Sequence, residues 1–497
     1  MFESAELGHS LDDELYKKEV PALREALLDI QFDLAESKAF PVLILIGGVD
    51  GAGKGETANL LNEWMDPRLI HTCAFGPATE DEAERPRMWR FWRELPPKGK
   101  IGIFFGSWYT APILENMSSG KLRKKLDSRL SDIVRFERML TDEGALVIKL
   151  WFHLSKKQQK NRIAELEANP KTRWRVTEQD KQHLKHYDEF RTLTGHILRE
   201  TSTANAPWLV IEGFDPNYRS LTTGKYLLET IRNRLDSKAP PPRKAAAPAL
   251  ALTAADSLNV LNTLDLKKSL DKDDYEERLE EYQGKLNLLT RHEKFQQISV
   301  IIAFEGVDAA GKGGAIRRVT QAMDARTYSI VPISAPSDEE SAQPYLWRFW
   351  RQLPRRGRVT IFDRTWYGRV LVERVEGFCS TQDWMRAYAE INDFEEQLVS
   401  HDIVLVKFWL HIDQEEQLAR FKAREDTAFK RYKITDEDWR NREKWDDYQR
   451  AVCDMIDRTS TEQAPWTLVE SNDKKYARIK ILKTICEQLE RKLDALK

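Results

Sequence analysis

Short apolar runs rich in β-branched residues alternate with longer amphipathic stretches along this chain. The run Val42–Ile46, and again Ser299–Phe304, is apolar, brief and followed at once by glycine. That pattern predicts a fully buried strand. A helical preamble precedes each, Leu15–Ala35 and Tyr275–Lys294. Downstream of the second, strands are expected at Tyr328–Ile333, Val359–Asp363, Ile403–Trp409 and Trp466–Glu470. Helical patterns lie between them, such as Ala315–Met323 with Ile316, Val319 and Met323 on one face. Strands alternating with helices imply a parallel sheet covered on both faces, with ligands at the carboxyl ends of its strands.

The pattern occurs twice. GGVDGAGKG at Gly47–Gly55 returns as EGVDAAGKG at Glu305–Gly313, and WRFWR at Trp89–Arg93 returns at Trp347–Arg351. Lys149-Leu-Trp151 returns as Lys407-Phe-Trp409, and Ala206-Pro-Trp208 as Ala464-Pro-Trp466, all at one offset of 258 positions. Constant register over that length is a duplication. Between the copies, residues 239–255 read APPPRKAAAPALALTAA, an extended Pro/Ala linker. The expected organisation is therefore a domain over 1–238, the linker, and a second domain over 256–497. Each is expected to be an α/β/α three-layer domain of the P-loop kinase-like kind, since its first strand runs into a glycine-rich loop ending in lysine.

Composition narrows the class. The 497 residues are 41% hydrophobic and 32% charged, which is the balance of a soluble globular chain. A net charge of −2 excludes a general polyanion binder, so an anionic substrate needs a local basic patch. Cys73, Cys379, Cys453 and Cys486 lack metal-ligand spacing and read as reduced thiols. The N-terminal stretch has no apolar signal region, and no run of about 18 apolar residues occurs. A cytoplasmic location with no membrane partner is expected.

Chemistry enters at Gly306-Val-Asp-Ala-Ala-Gly311-Lys312, a GxxxxGK loop between a strand and a helix. Gly306 and Gly311 free backbone N–H groups to face phosphate, and Lys312 adds a point charge. The hydroxyl that usually follows the lysine is replaced by Gly313, while an acid, Asp308, sits inside the loop. A carboxylate among phosphate-facing amides calls for a cation, so Asp308 is expected to bind Mg²⁺, unless it caps the loop through a backbone amide. The strand end Val359-Thr-Ile-Phe-Asp363-Arg364 offers the second metal acid, Asp363. Arg364 and Arg369 offer planar donors for phosphate oxygens. Past the fourth strand, Arg420 and Arg424 share a helix face, and Lys430, Arg431 and Lys433 cluster near an expected bend. A lid in this place excludes water from a kinase site.

GVDAAGKGG, FDRTWYGRV, LWRFWRQLPRRG and the KFWLHI…EQLARFKAR stretch closely resemble the polyphosphate kinase 2 family, in both halves and over nearly the whole chain. The resemblance implies a five-stranded parallel sheet with a helical lid and Mg²⁺ dependence. For a fused double domain it implies transfer of the terminal phosphoryl of inorganic polyphosphate to AMP, giving ADP. By position the family's loop residues fall on Asp308 and Lys312, its strand-end residues on Asp363 and Arg364, and its lid arginines on Arg420 and Arg424. The first copy departs: Phe105 stands for Asp363, Gly106 for Arg364 and Ala111 for Arg369, while Asp50 and Lys54 remain. It is expected to be catalytically degenerate. The competing readings are an ATP-dependent nucleoside monophosphate kinase, a polyphosphate-dependent kinase of nucleoside diphosphates, and a module binding single-stranded nucleic acid, which would not need two acids beside a P-loop. A homo-oligomer is compatible with the favoured reading.

Overall fold

The computed structural model describes residues 1–119, 123–237, 260–426 and 436–496. The linker expected at 239–255 lies outside the described residues. The chain forms two compact units. One gathers Met1–Ala78, the described part of Arg90–Pro242, and Ser337–Pro344. The other gathers Thr79–Trp89, the described parts of Arg243–Pro336, and Tyr345–Lys497.

Each unit is built on a five-stranded parallel sheet. In the first, β1 (Val42–Gly48), β2 (Ile70–Ala74), β3 (Ile101–Phe105), β4 (Leu146–His153) and β5 (Trp208–Glu212) lie in the order β2-β3-β1-β4-β5. In the second, β6 (Ser299–Gly306), β7 (Tyr328–Pro332), β8 (Val359–Asp363), β9 (Ile403–His411) and β10 (Trp466–Glu470) run β7-β8-β6-β9-β10. The topologies are identical. The predicted strands stand, and β6 and β9 extend two residues further than the apolar runs suggested. Among the described residues no helix is long and apolar enough to cross a membrane.

The second sheet is clad on both faces, which is why its strands read as continuous apolar runs. Phe304, Ile361 and Phe408 are fully buried, and Ile316, Val319 and Ile481 from flanking helices join the same core. Register sets the site: Phe304 of β6 lies beside Asp363 of β8, so the strand-end acid emerges next to the loop that follows β6.

One buried polar network fixes that corner. Lys407, inside β9 and 0% exposed, donates from Nζ to Glu395 Oε2 at 2.7 Å, Tyr367 Oη at 2.9 Å and the Thr459 carbonyl at 2.8 Å. Trp366 Nε1 and Tyr367 Oη both donate to Glu395 Oε1, at 3.0 and 2.6 Å. Burial pushes Glu395 up and Lys407 down, and their contact opposes both shifts. With the ammonium and both carboxylate oxygens bonded, the desolvated pair is tolerated. Trp366 and Tyr367 thus anchor the loop carrying Arg364 and Arg369. The first unit repeats the arrangement with Lys149, Glu137 and Tyr109.

Candidate active site

The loop after β6 is shaped by its glycines. Gly306 has φ +155°, and a Cβ there would fall 2.5 Å from the Leu410 carbonyl oxygen, so only glycine fits. Gly311, at φ +110°, caps the helix Lys312–Gln321 and leaves its first N–H groups facing outward. Lys312 Nζ folds back to the Gly306 carbonyl at 2.7 Å, which holds the ammonium over the loop. Gly313 opens the helix with no side chain, and a Cβ there would meet nothing within 4 Å. At this site two non-glycine residues sit in the left-handed region, Ala309 and Arg364, both at φ +65°. Each costs on the order of 1–3 kcal/mol, a burden concentrated at ligand-handling positions.

Asp308 is 14% exposed and gathers its neighbours. Its Oδ1 takes a long hydrogen bond from Arg364 Nη2 at 3.4 Å, and its Oδ2 one from Asn441 Nδ2 at 2.9 Å. Asp363 ends β8 half-buried, and among the described residues no hydrogen bond or ion pair reaches its carboxylate. A strand-end acid without a cationic partner, beside a second acid on the loop, fits a hard dication with oxygen ligands.

A third acid escaped the sequence reading. Glu305, 6% exposed at the end of β6, accepts from Thr365 N at 2.7 Å and Thr365 Oγ1 at 2.9 Å. Burial raises its pKa, opposed chiefly by the charge of Lys312 and then by Thr365 and Arg364. It ties the start of the β8 loop to the end of β6. The signal that could have found it is in the repeat itself: Glu305 is Gly47 in the first copy.

The arginines divide. Arg364 is 42% exposed. Arg369 stacks on Tyr345 at 4.4 Å with its Nε 3.1 Å from Glu373. Arg424 is half-buried near Arg420, whose pKa it helps to lower after burial. Arg420 itself is 6% exposed. Its guanidinium donates to the carbonyls of Ala309 (2.9 Å), Ser471 (2.7 Å) and Asn472 (2.9 Å), and its Nε to Glu416 (2.5 Å). It braces the P-loop backbone, where the sequence reading had it as a lid arginine facing phosphate.

The region past β9 lies over this loop. From the helix Gln414–Glu425, Gln417 donates to the Asp308 carbonyl at 3.3 Å. From the helix Asp436–Glu443 comes Asn441. Arg442 ties the two helices through Gln414 O at 2.8 Å and Gln417 Oε1 at 3.0 Å, and Phe421 meets Trp439 edge-on. Tyr448 Oη donates to Asn441 Oδ1 at 3.0 Å and fixes the amide. Lys430, Arg431 and Lys433 lie outside the described residues.

The corresponding loop of the first unit has turned its charges on itself. Lys54 Nζ lies 2.7 Å from the Gly48 carbonyl and 3.1 Å from Asp50 Oδ1. Asp50 Oδ2 lies 2.6 Å from His183 Nδ1, and His183 stands where the other copy has Asn441. These contacts outweigh burial and hold Asp50 far below the ordinary carboxylate range. The Arg219 guanidinium covers Gly53 and donates to Glu56 at 2.8 Å. Phe105 closes β3 where a metal acid would stand, and Gly106 takes the positive φ that Arg364 bears in the other unit.

The family model described as Polyphosphate kinase 2 matches this chain twice, over residues 10–239 and 269–497. A polyphosphate:AMP phosphotransferase of Pseudomonas aeruginosa is 56% identical over 99% of both chains. One of Pseudomonas syringae pv. tomato is 54% identical over 99% of this chain and 98% of its own. One of Acinetobacter johnsonii is 39% identical over 94% and 96%. The crystal structure of a candidate polyphosphate kinase 2 from Pseudomonas aeruginosa superposes with a TM-score of 0.90 at 54% identity, covering 100% of each chain.

Proposed function

The chain belongs to the polyphosphate kinase 2 family, and from that we propose that it transfers the terminal phosphoryl group of inorganic polyphosphate to AMP, giving ADP, with Mg²⁺ as cofactor and in the cytoplasm. The observation that carries the acceptor is the similarity, over nearly the whole of both chains, to relatives named for that reaction. The second unit is assigned as the catalytic one, because it alone joins loop acid, loop lysine and strand-end acid.

The chain's own groups divide the labour. The loop N–H groups, the helix N-terminus and Lys312 bind phosphate oxygens of the donor. Asp308 and Asp363 would hold Mg²⁺, which supplies charge neutralisation between donor and acceptor. Arg364, Arg369 and Arg424 offer donors to the transferring group, and Glu305 orients the Lys312–Arg364 side of the cradle. An AMP phosphate oxygen attacks the terminal phosphorus, the bridging P–O bond breaks, and polyphosphate leaves one unit shorter. The helices past β9 exclude water, so AMP and not water receives the group.

The test is incubation with AMP and Mg²⁺ and either polyphosphate or ATP as donor. ADP formed from polyphosphate alone is the expected result. ADP formed only with ATP would assign an ordinary monophosphate kinase. ATP formed from ADP and polyphosphate, with AMP left unused, would move the acceptor to nucleoside diphosphates.

A further inference from the structure

A second cluster of chemistry-bearing side chains lies in the first unit, away from its phosphate loop. β2 is the edge strand of that sheet, and period two puts His71 and Cys73 on one face. Glu94 follows the helix Trp89–Arg93 and meets both. Cys73 Sγ is 3.0 Å from His71 Nε2, His71 Nε2 is 2.8 Å from Glu94 Oε2, and Cys73 Sγ is 3.6 Å from the same Oε2. Each residue thus offers one ligand atom toward a common point. Arg93 Nε donates to the other carboxylate oxygen, Oε1, at 2.8 Å, which fixes the direction of Oε2. His71 is about half exposed, at 51%, so the cluster is open to solvent on one side.

We propose that His71 Nε2, Cys73 Sγ and Glu94 Oε2 bind a transition-metal dication of the zinc class, with water in the fourth position, and that the ion fastens the edge strand β2 to the segment after Trp89–Arg93. An ion about 2.0–2.3 Å from nitrogen, oxygen and sulfur sits just above the triangle these atoms form. One thiolate, one imidazole and one carboxylate suit Zn²⁺ and exclude Mg²⁺, which takes oxygen ligands only. On binding, the Cys73 thiol gives its proton to solvent as the sulfur–metal bond forms. The duplication supplies the contrast: the same three positions in the second unit are Ser329, Val331 and Gln352, which make no such set. The site is independent of the phosphotransfer reading and belongs to the copy that lost its strand-end acid.

The test is titration of the full chain with Co²⁺, then Zn²⁺, in excess Mg²⁺ to occupy hard oxygen sites. One equivalent of Co²⁺ should give thiolate-to-cobalt charge-transfer absorption with tetrahedral visible bands, and Zn²⁺ should displace it. The variants Cys73→Val, His71→Ser and Glu94→Gln install residues that the sister sheet already carries at these places. Cys73→Val should abolish the charge-transfer band, and the other two should weaken binding by at least about 100-fold, the upper end of what losing a group behind the ligands costs. Absence of the band in the parent chain overturns the site. So does a band that survives Cys73→Val, or one unaffected by both His71→Ser and Glu94→Gln.

Discussion

Asn441 donates to Asp308 Oδ2 at 2.9 Å, so a side chain from the lid region already holds the acid of the loop after β6. Arg364 reaches the other oxygen of the same carboxylate at 3.4 Å. The Asn441 amide is uncharged and the Arg364 contact is long, a looser hold than the first unit's. In the first unit the equivalent acid is closed off by Lys54 and His183.

Asp308→Asn and Asp363→Asn should each lower the rate of AMP phosphorylation by at least about 100-fold, the scale of removing one preorganised electrostatic element. Chelation of the divalent cation should stop the parent enzyme. Initial rates across a Mg²⁺ series check both, and a near-normal rate in either variant removes that residue from the site.

Arg420→Ala should behave differently from Arg424→Ala. The first strips a buried guanidinium from three backbone carbonyls and should cost about 2–4 kcal/mol of stability as well as activity, since donors to those carbonyls are lost in a dry place. The second should weaken polyphosphate use and its salt dependence with little change in stability. Thermal unfolding alongside kinetics separates them; equal effects on both readouts would merge the two roles.

His411 closes β9 at 4% exposure, and burial lowers its pKa to about 4 from an ordinary 6.5. A folded pKa below the unfolded one means that the unfolded chain binds more protons between those values. The stability held by the neutral ring is therefore complete above about 6.5 and lost as pH falls toward about 4, on the order of 3 kcal/mol. Hydrogen exchange of β9 amides should show this slope in the parent and a smaller one in His411→Gln. Identical slopes would contradict the assignment.

Lys407→Met alone should destabilise the second unit by about 3–5 kcal/mol, because Glu395 is left charged and buried. Lys407→Met with Glu395→Leu should recover part of that loss. Denaturant unfolding of the two variants makes the comparison, and an additive pair would show that the two groups do not interact.

Much of this was legible before the fold. Strands whose faces are both covered read as apolar runs, so β8 and β10 were found to the residue and β6 to within two, and the duplication pointed to two similar units. The loop glycines, Lys312 and the Asp363–Arg364 strand end follow from local pattern. What pattern could not reach depends on tertiary proximity. Arg420 read as a lid arginine facing phosphate because helical spacing says nothing of the Ser471–Asn472 backbone that buries it. Glu305 read only as the first residue of the glycine-rich EGVDAAGKG motif, and nothing in the local pattern singled out Asn441. Lys407 entered the sequence reading only as part of the repeated Lys-x-Trp landmark; its partner, Glu395, lies twelve residues earlier on another element.

The sharpest test of a single catalytic unit compares Lys312→Ala with Lys54→Ala, each verified as folded, in AMP phosphorylation from polyphosphate. Both lysines contact the equivalent glycine carbonyl at 2.7 Å, so loop geometry alone does not separate them. The strand ends do: Asp363 and Arg364 in one unit, Phe105 and Gly106 in the other. The account predicts that Lys312→Ala abolishes ADP formation while Lys54→Ala retains most of it. Loss of activity in Lys54→Ala equal to that in Lys312→Ala would contradict it.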